Sequence, residues 1–250
     1  MLTTILIGII VIMSLFILVR ELSRSSNEKL FLSIVNHNFR TPLTRIKWMS
    51  DALKEEQTRE EKVETARNVS NSVNRILEII DTLVGVNDIH NMAAYDLKAV
   101  SLREIIEEAI AKYRTMLNDK KILLEIPTFS DIPLLTLDTK KISFVVHVLL
   151  ENAIFYSNPN GHIRIGVTLK ESGILMGIQD EGIGLTWKDK FNLFNRFYRG
   201  EQAQKMNTDG MGLGLFISRQ IIRRHSGKIY ATSKGKDTGS SFYIRLPLNR

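Results

Sequence analysis

None of the 250 residues is cysteine, which excludes disulfides, thiolate metal sites and a cysteine nucleophile. The five histidines, at 37, 90, 147, 162 and 225, show no metal-ligand spacing. Disorder along the whole chain is also excluded, since 44% of the residues are hydrophobic and 24% charged. At this length the chain has room for one or two domains, each with its own core. The net charge of +7 raises the question of nucleic acid. Of that excess, +6 lies in residues 201–250, which is not the pattern of a diffuse nucleic-acid tail, and no nucleic-acid partner is expected.

Leu2 to Val19 is uncharged and rich in Ile, Leu, Val, Met and Phe. Eighteen such residues approach the length of roughly 20 that a bilayer span needs. A cleaved signal peptide would want a basic start and a small-residue cleavage site, and neither is present. Arg20, Arg24 and Lys29 follow the run, so residues 1–20 are expected to be a single-pass anchor in the inner or plasma membrane. The rest of the chain would then be cytoplasmic.

From about 22 to 56 the apolar spacing is helical, through Leu30, Ile34, Phe39, Leu43, Ile46, Met49 and Leu53. Pro42 interrupts it and predicts a kink. From Arg59 to about Ile89 the stripe is cleaner, through Val63, Val69, Val73, Ile76, Leu77, Ile80 and Leu83. The short polar link at Glu55 to Thr58 makes the pair an antiparallel hairpin over 21–95. One hairpin cannot cover both stripes, so dimerisation into a four-helix bundle is expected. A coiled-coil stalk would explain the stripes equally well. After a linker at 91–100 the pattern is α+β. Ser101-x-x-Glu104 opens a helix to about Asn118, Ile122–Ile126 reads as a strand, and Asp138 caps a helix to about Phe155. Strands follow at His162–Lys170 and Ile174–Gln179, then a helix after Gly214. The last strands lie near Lys228–Ser233 and at Ser240–Leu246. A mixed sheet with helices on one face accounts for residues 96–250.

Three clusters there carry chemistry. Asn152 lies mid-helix between Leu149, Leu150, Ala153 and Ile154, with Tyr156 one turn on. An amide so placed needs a partner, either backbone or a hard cation such as Mg²⁺. Asp180-Glu-Gly182-Ile-Gly184 follows a strand; its carboxylate can accept from an exocyclic amino group, and its glycines allow close backbone approach. Gly210-Met-Gly212-Leu-Gly214 opens a helix, where main-chain N–H groups can face phosphate oxygens. Between them, Phe194-Asn-Arg196-Phe197-Tyr198-Arg199 and the polar stretch to Asp209 have the composition of a mobile lid.

In this order and spacing the clusters resemble the N, G1, F and G2 boxes of the sensor histidine kinase ATP-binding domain, a relative of the gyrase and Hsp90 ATPases. Asn36-His37-Asn38-Phe39-Arg40-Thr41-Pro42-Leu43-Thr44 resembles the phospho-acceptor box of the same family. The resemblance implies a Bergerat-type α/β sandwich behind a dimeric phospho-acceptor hairpin. It implies that His37 takes the γ-phosphoryl group of ATP and passes it to an aspartate of a response-regulator receiver domain. By the same resemblance Asp180 reads the adenine amino group, and Asn152 holds Mg²⁺ with Tyr156 beside it. Gly182 and Gly184 would shape the adenine side, and Gly210, Gly212 and Gly214 the phosphate side. Thr41 occupies the position that aligns water for dephosphorylating the partner.

Three positions depart from the family. The residue after the acceptor histidine is usually acidic, and an amide such as Asn38 cannot act as a general base. Val148 replaces a second asparagine four residues before Asn152, and Phe155 replaces the usual lysine three after it. A degenerate kinase that binds ATP and serves as a scaffold or response-regulator phosphatase is the alternative these residues raise. Val148 also argues against gyrase-like hydrolysis, which uses a glutamate there. Anchor, hairpin and ATP domain use the whole chain. The signal is therefore expected through the membrane or an associated protein, unless the chain is the C-terminal part of a longer kinase. On this reading Asn38→Glu speeds autophosphorylation, measured as initial rate of phosphoryl incorporation; an unchanged or lower rate removes the account of Asn38.

Overall fold

The structure, a computed structural model, describes residues 33, 35–36, 38–53, 58–88, 95–126, 132–171, 173–207 and 210–248. The expected membrane anchor and His37 lie outside the described residues. Among those described, no helix is long and apolar enough to cross a membrane. The chain divides into two compact units, Met1–Ile79 and Ile80–Arg250, a division that falls inside the helix Arg59–Asp88.

In the first unit, helix α1 covers 38–52 and stays helical through Pro42. Helix α2, Arg59–Asp88, begins at a reciprocal capping box. The Thr58 N–H donates to Glu61 Oε2 (2.8 Å), and the Glu61 N–H donates to Thr58 Oγ1 (3.3 Å). Two orphan donors of the first turn are thereby satisfied. Asn38, Ser72 and Ile79 are buried, yet Leu43, Trp48, Leu53, Val63, Val73, Leu77 and Ile80 stay exposed. The apolar faces of the two helices are wider than one hairpin covers.

The second unit begins with β1 (Leu97–Val100), α3 (Leu102–Asp119), β2 (Leu123–Glu125), β3 (Leu135–Asp138) and α4 (Thr139–Tyr156). It continues with β4 (His162–Lys170), β5 (Gly173–Asp180), α5 (Trp187–Asn192), α6 (Glu201–Met206) and α7 (Gly214–Arg224). Strands β6 (Lys228–Thr232) and β7 (Ser240–Leu246) complete it. The main sheet has the order β2-β4-β5-β7-β6, with β2 parallel to β4 and the other pairs antiparallel. A separate antiparallel pair joins β1 to β3. Four-residue strands with a distant partner carry no period of their own, and neither was expected. The short helix α6 falls within the stretch read as lid, and α5, just before that stretch, was not expected either.

Alternation along the central strands sets the core. Ile174, Met176 and Ile178 of β5, Ile163 and Ile165 of β4, and Phe242, Ile244 and Leu246 of β7 are buried. Helices α3, α4 and α7 supply the facing layer, with α4 in the middle, packed against both α3 and α7. Its start is fixed twice over. Asp138 Oδ1 accepts from the Lys141 N–H (3.0 Å), while the Asp138 N–H donates to Nε2 of buried His225 (3.0 Å) just beyond α7. The His225 Nδ1 lies 2.9 Å from the Ile221 carbonyl, so Nδ1 carries the proton. At the far end of α4 the Lys120 ammonium donates to the carbonyls of Ile154 (3.0 Å), Phe155 (2.6 Å) and Ser157 (3.3 Å). A cation there also complements the helix dipole.

Because α4 is the hub of this layer, Leu150→Ala, at a fully buried position, is expected to destabilise the chain by about 2–5 kcal/mol. The urea midpoint measures it, and a loss near zero would show that α4 is not the packing centre.

Candidate nucleotide-binding site

Asp180 ends β5 with the same parity as Ile174, Met176 and Ile178, so the pleat that builds the core also carries a carboxylate inward. Its neighbour across the β5–β7 ladder is Ser240. Asp180 Oδ1 accepts from the Gly182 N–H (2.9 Å) and the Ser240 N–H (3.2 Å), and Oδ2 accepts from Ser240 Oγ (2.5 Å). Burial raises this carboxyl above its ordinary range, and the bonds from Ser240 and Gly182 pull it partway back. The result is a buried acceptor held in one orientation, suited to reading an amino group. Ser240 was read from the sequence only as the start of a closing strand.

The loop after Asp180 lies directly on the end of α4. Ser157 and Gly182 form a β-bridge, and the Ile183 N–H donates to the Tyr156 carbonyl (3.3 Å). A Cβ on Gly182 would stand 2.1 Å from that carbonyl oxygen, so only glycine fits. Gly184 bridges to Lys236 on the β6–β7 connection.

Val148, Asn152 and Tyr156 are one turn apart along α4. Val148 lies against the start of α7, its Cγ1 3.1 Å from where a Gly214 Cβ would be. Asn152 is half-buried, and its carboxamide makes no hydrogen bond among the described residues. The backbone-bonded alternative is therefore not what the structure contains. Tyr156 is hydrogen-bonded by Arg199, and burial raises its phenol above the ordinary range against that partner's pull. Phe155 takes another direction, its ring 5.4 Å from the Lys120 ammonium. Among the described residues no cluster of three or more His, Asp or Glu could hold a metal by itself. A free half-buried amide oxygen fits Mg²⁺ that takes most of its oxygens from phosphates and water.

The glycine segment closes the third side. Gly212 has φ +66° and accepts at its carbonyl from the Phe197 N–H (2.9 Å), while Phe197 itself adopts φ +64°. Two left-handed residues, one of them not glycine, thus pin the two ends of the 198–211 segment together. Gly210 faces the Arg199 guanidinium, whose Nη2 donates to the Ala203 carbonyl on α6 (3.1 Å). Asp189 anchors the same root from α5. Its Oδ2 takes the Thr186 N–H and hydroxyl (2.8 and 2.6 Å), and its Oδ1 takes the Tyr198 hydroxyl (2.9 Å). Burial and this carboxylate push the Tyr198 phenol up to about 12. Neither role was visible in the sequence, where Asp189 is one charge among several.

The loop after Asp180 thus meets the Tyr156 end of α4, Arg199 links Tyr156 to Gly210, and Gly214 meets Val148 two turns earlier on the same helix. In the hairpin, Asn38 is buried and Thr41 half-buried on α1.

The raised Asp180 carboxyl sets a sign for pH. The folded state holds this proton more tightly than the unfolded state. The group's contribution to stability is therefore full below the unfolded pKa and lost as pH rises through the folded one. Asp180→Asn is expected to gain stability relative to the parent as pH rises through the carboxylate range. Urea midpoints at a series of pH values measure it, and a flat or falling difference would contradict the burial argument.

Comparison with known proteins agrees with this geometry. The family described as histidine kinase-, DNA gyrase B- and HSP90-like ATPase matches residues 137–250, and the His kinase A (phospho-acceptor) domain matches residues 27–90. Drug sensory protein A of Synechocystis sp. is 28% identical over 94% of this chain, and the sensor histidine kinase WalK of Bacillus subtilis is 28% identical over 86%. The chain spans 37% and 36% of those two proteins. Among solved structures, Acinetobacter baumannii histidine kinase AdeS superposes with a TM-score of 0.63 at 20% identity, covering 86% of this chain and 98% of that one. ShkA in complex with AMPPNP gives 0.63 at 19%, covering 84% of this chain and 44% of that one. Histidine kinase ThkA in complex with the response regulator TrrA gives 0.62 at 20%, covering 86% and 60%. With a phospho-acceptor domain followed by this ATPase domain, the chain belongs to the two-component sensor histidine kinases.

Proposed function

We propose that the chain is an ATP-dependent protein-histidine kinase. It autophosphorylates on His37 and passes the phosphoryl group to an aspartate of a response-regulator receiver domain. The observation that carries the reading is Asp180, a buried carboxylate locked by Gly182 and Ser240, whose loop rests on the Tyr156 end of the helix that bears Asn152, in a chain that also matches the phospho-acceptor domain. The complex of ShkA with AMPPNP and that of ThkA with TrrA support a nucleotide and a receiver as ligands.

In this reading Asp180 accepts from the adenine amino group, and Gly182 and Gly184 let the backbone close on the base. Asn152 offers its amide oxygen to Mg²⁺, with Tyr156 and Arg199 alongside. Bound Mg²⁺ would neutralise phosphate charge. The N–H groups of the Gly210–Gly214 turn face phosphate oxygens. His37 attacks through an unprotonated ring nitrogen, and the transfer asks chiefly for positioning and charge neutralisation. The exposed apolar residues of α1 and α2 support a homodimeric four-helix bundle. Residues 1–20 supply a membrane anchor, 21–95 the acceptor hairpin and 96–250 the ATP domain, with the catalytic part cytoplasmic. Asn38, Val148 and Phe155 favour a second reading, in which ATP binds but the chain serves as scaffold or phosphatase through Thr41. Val148 adds weight to it, since its methyls rest on Gly214 and offer the phosphates no ligand.

Incubating the chain with γ-labelled ATP separates the two. Acid-labile, alkali-stable label that disappears in His37→Ala is the expected result, and nucleotide binding without label over hours would leave only the scaffold. Asp180→Asn is expected to weaken ATP binding by roughly 10- to 150-fold, the worth of a charge-assisted hydrogen bond at about 1.5–3 kcal/mol. Titration calorimetry measures it, and unchanged affinity would take Asp180 out of the site.

A further inference from the structure

We propose that the outer face of α5, Trp187 and Phe191 with the lysines around them, docks onto an anionic lipid surface. The helix is turned inside out relative to a soluble amphipathic helix. Its acid, Asp189, is occupied inward by Thr186 and Tyr198. Its two aromatics point to solvent, Trp187 75% and Phe191 64% exposed. The rings are one turn apart and pack on each other, with centroids 4.4 Å apart. None of the six residues of α5 is buried. The local fold does not need these rings, since the capping box starts the helix and Asp189 roots it. An exposed aromatic pair with no internal duty marks a contact surface.

The surrounding charge says what kind. Lys188 and Lys190 alternate with the aromatics on α5, Lys205 stands on α6, and Lys234 and Lys236 lie on the β6–β7 connection. That connection is held beside the strand end by the Gly184–Lys236 bridge. Lys205, Lys236 and Lys188 all act on the same carboxylate, Glu201. Three acids stand in these segments against five lysines: half-buried Asp189, Asp237, and Glu201, which Lys205 pairs at 2.7 Å. Long lysine stems around a small Trp–Phe centre form an interfacial pattern, with rings at headgroup depth and ammonium groups reaching phosphates. An acidic protein partner would also attract the lysines. The apolar run at Leu2–Val19 favours lipid, because it would keep the chain at a bilayer. For this nearness the inference rests on the anchored reading given above.

The chain has two tryptophans, so Trp48→Phe leaves Trp187 as the only indole reporter. The full chain carrying that substitution is reconstituted into vesicles of phosphatidylcholine, or of phosphatidylcholine with phosphatidylglycerol. With phosphatidylglycerol, Trp187 emission is expected to shift to the blue, to lose acrylamide quenching and to be quenched by brominated acyl chains. High salt should reverse all three. Lys188→Ala with Lys190→Ala should lower the docked-to-free ratio about 25-fold, about fivefold per lysine. Emission and quenching that are the same in both vesicles overturn the proposal. So does a Trp187 that becomes shielded only when a receiver domain is added, or equally in lipid-free detergent. Alkaline carbonate extraction of the same vesicles reads the anchor separately. A chain retained in the bilayer with Trp187 open to acrylamide refutes the docking alone, and a chain extracted by carbonate refutes the anchor alone.

Discussion

The site depends on one buried charge-accepting group. Taking a carboxylate out of water is costly, and Asp180 is 4% exposed. Three hydrogen bonds offset that cost, two of them from the residue across the ladder and one from the glycine two residues on. They are available only in one register. Shifting β7 by a single residue would place Ser241 opposite Asp180 and turn every inward residue of the strand outward. The burial of Phe242, Ile244 and Leu246 thus holds the register, and the register holds the acceptor. Core packing and ligand recognition are here one constraint.

Helix α4 carries that constraint to the rest of the pocket. Its buried residues bind it to the sheet and to α3 and α7, and its ends are tied by Asp138 with His225 and by Lys120. A rod fixed at both ends presents Val148, Asn152 and Tyr156 in a row without needing local hydrogen bonds to position them. The lid side is built differently. The Phe197–Gly212 bond and the Asp189–Tyr198 bond grip its root, while α6 is a single short helix with no buried residue. Rigid floor and lightly held cover suit a site that must admit and release a nucleotide.

Much of this is legible in the residues themselves. The strands β4 and β7 lie at the residues expected, and α4 begins at the expected Asp138 cap; α3 begins after Ser101, whose hydroxyl accepts from the Glu104 N–H without the return bond that a capping box would add. Those elements are long enough for period and cap to speak together. The pair β1–β3 and the helices α5 and α6 were not legible, because four to six residues fall short of a periodic signal.

The sequence by itself determined which residues could do chemistry: the glycine clusters, Asp180, Asn152, and the histidine box with its Asn38 departure. Residue type and spacing are local properties, and a chain displays them without folding. Only the tertiary structure decided who holds those residues in place. Ser240 lies 60 residues from Asp180, Lys120 35 from Phe155, and His225 87 from Asp138. None of these pairings leaves a mark on its own segment, because each is made by sheet register and helix packing. Likewise Trp187 and Phe191 have the spacing of a helical core stripe, and only packing shows that they face outward.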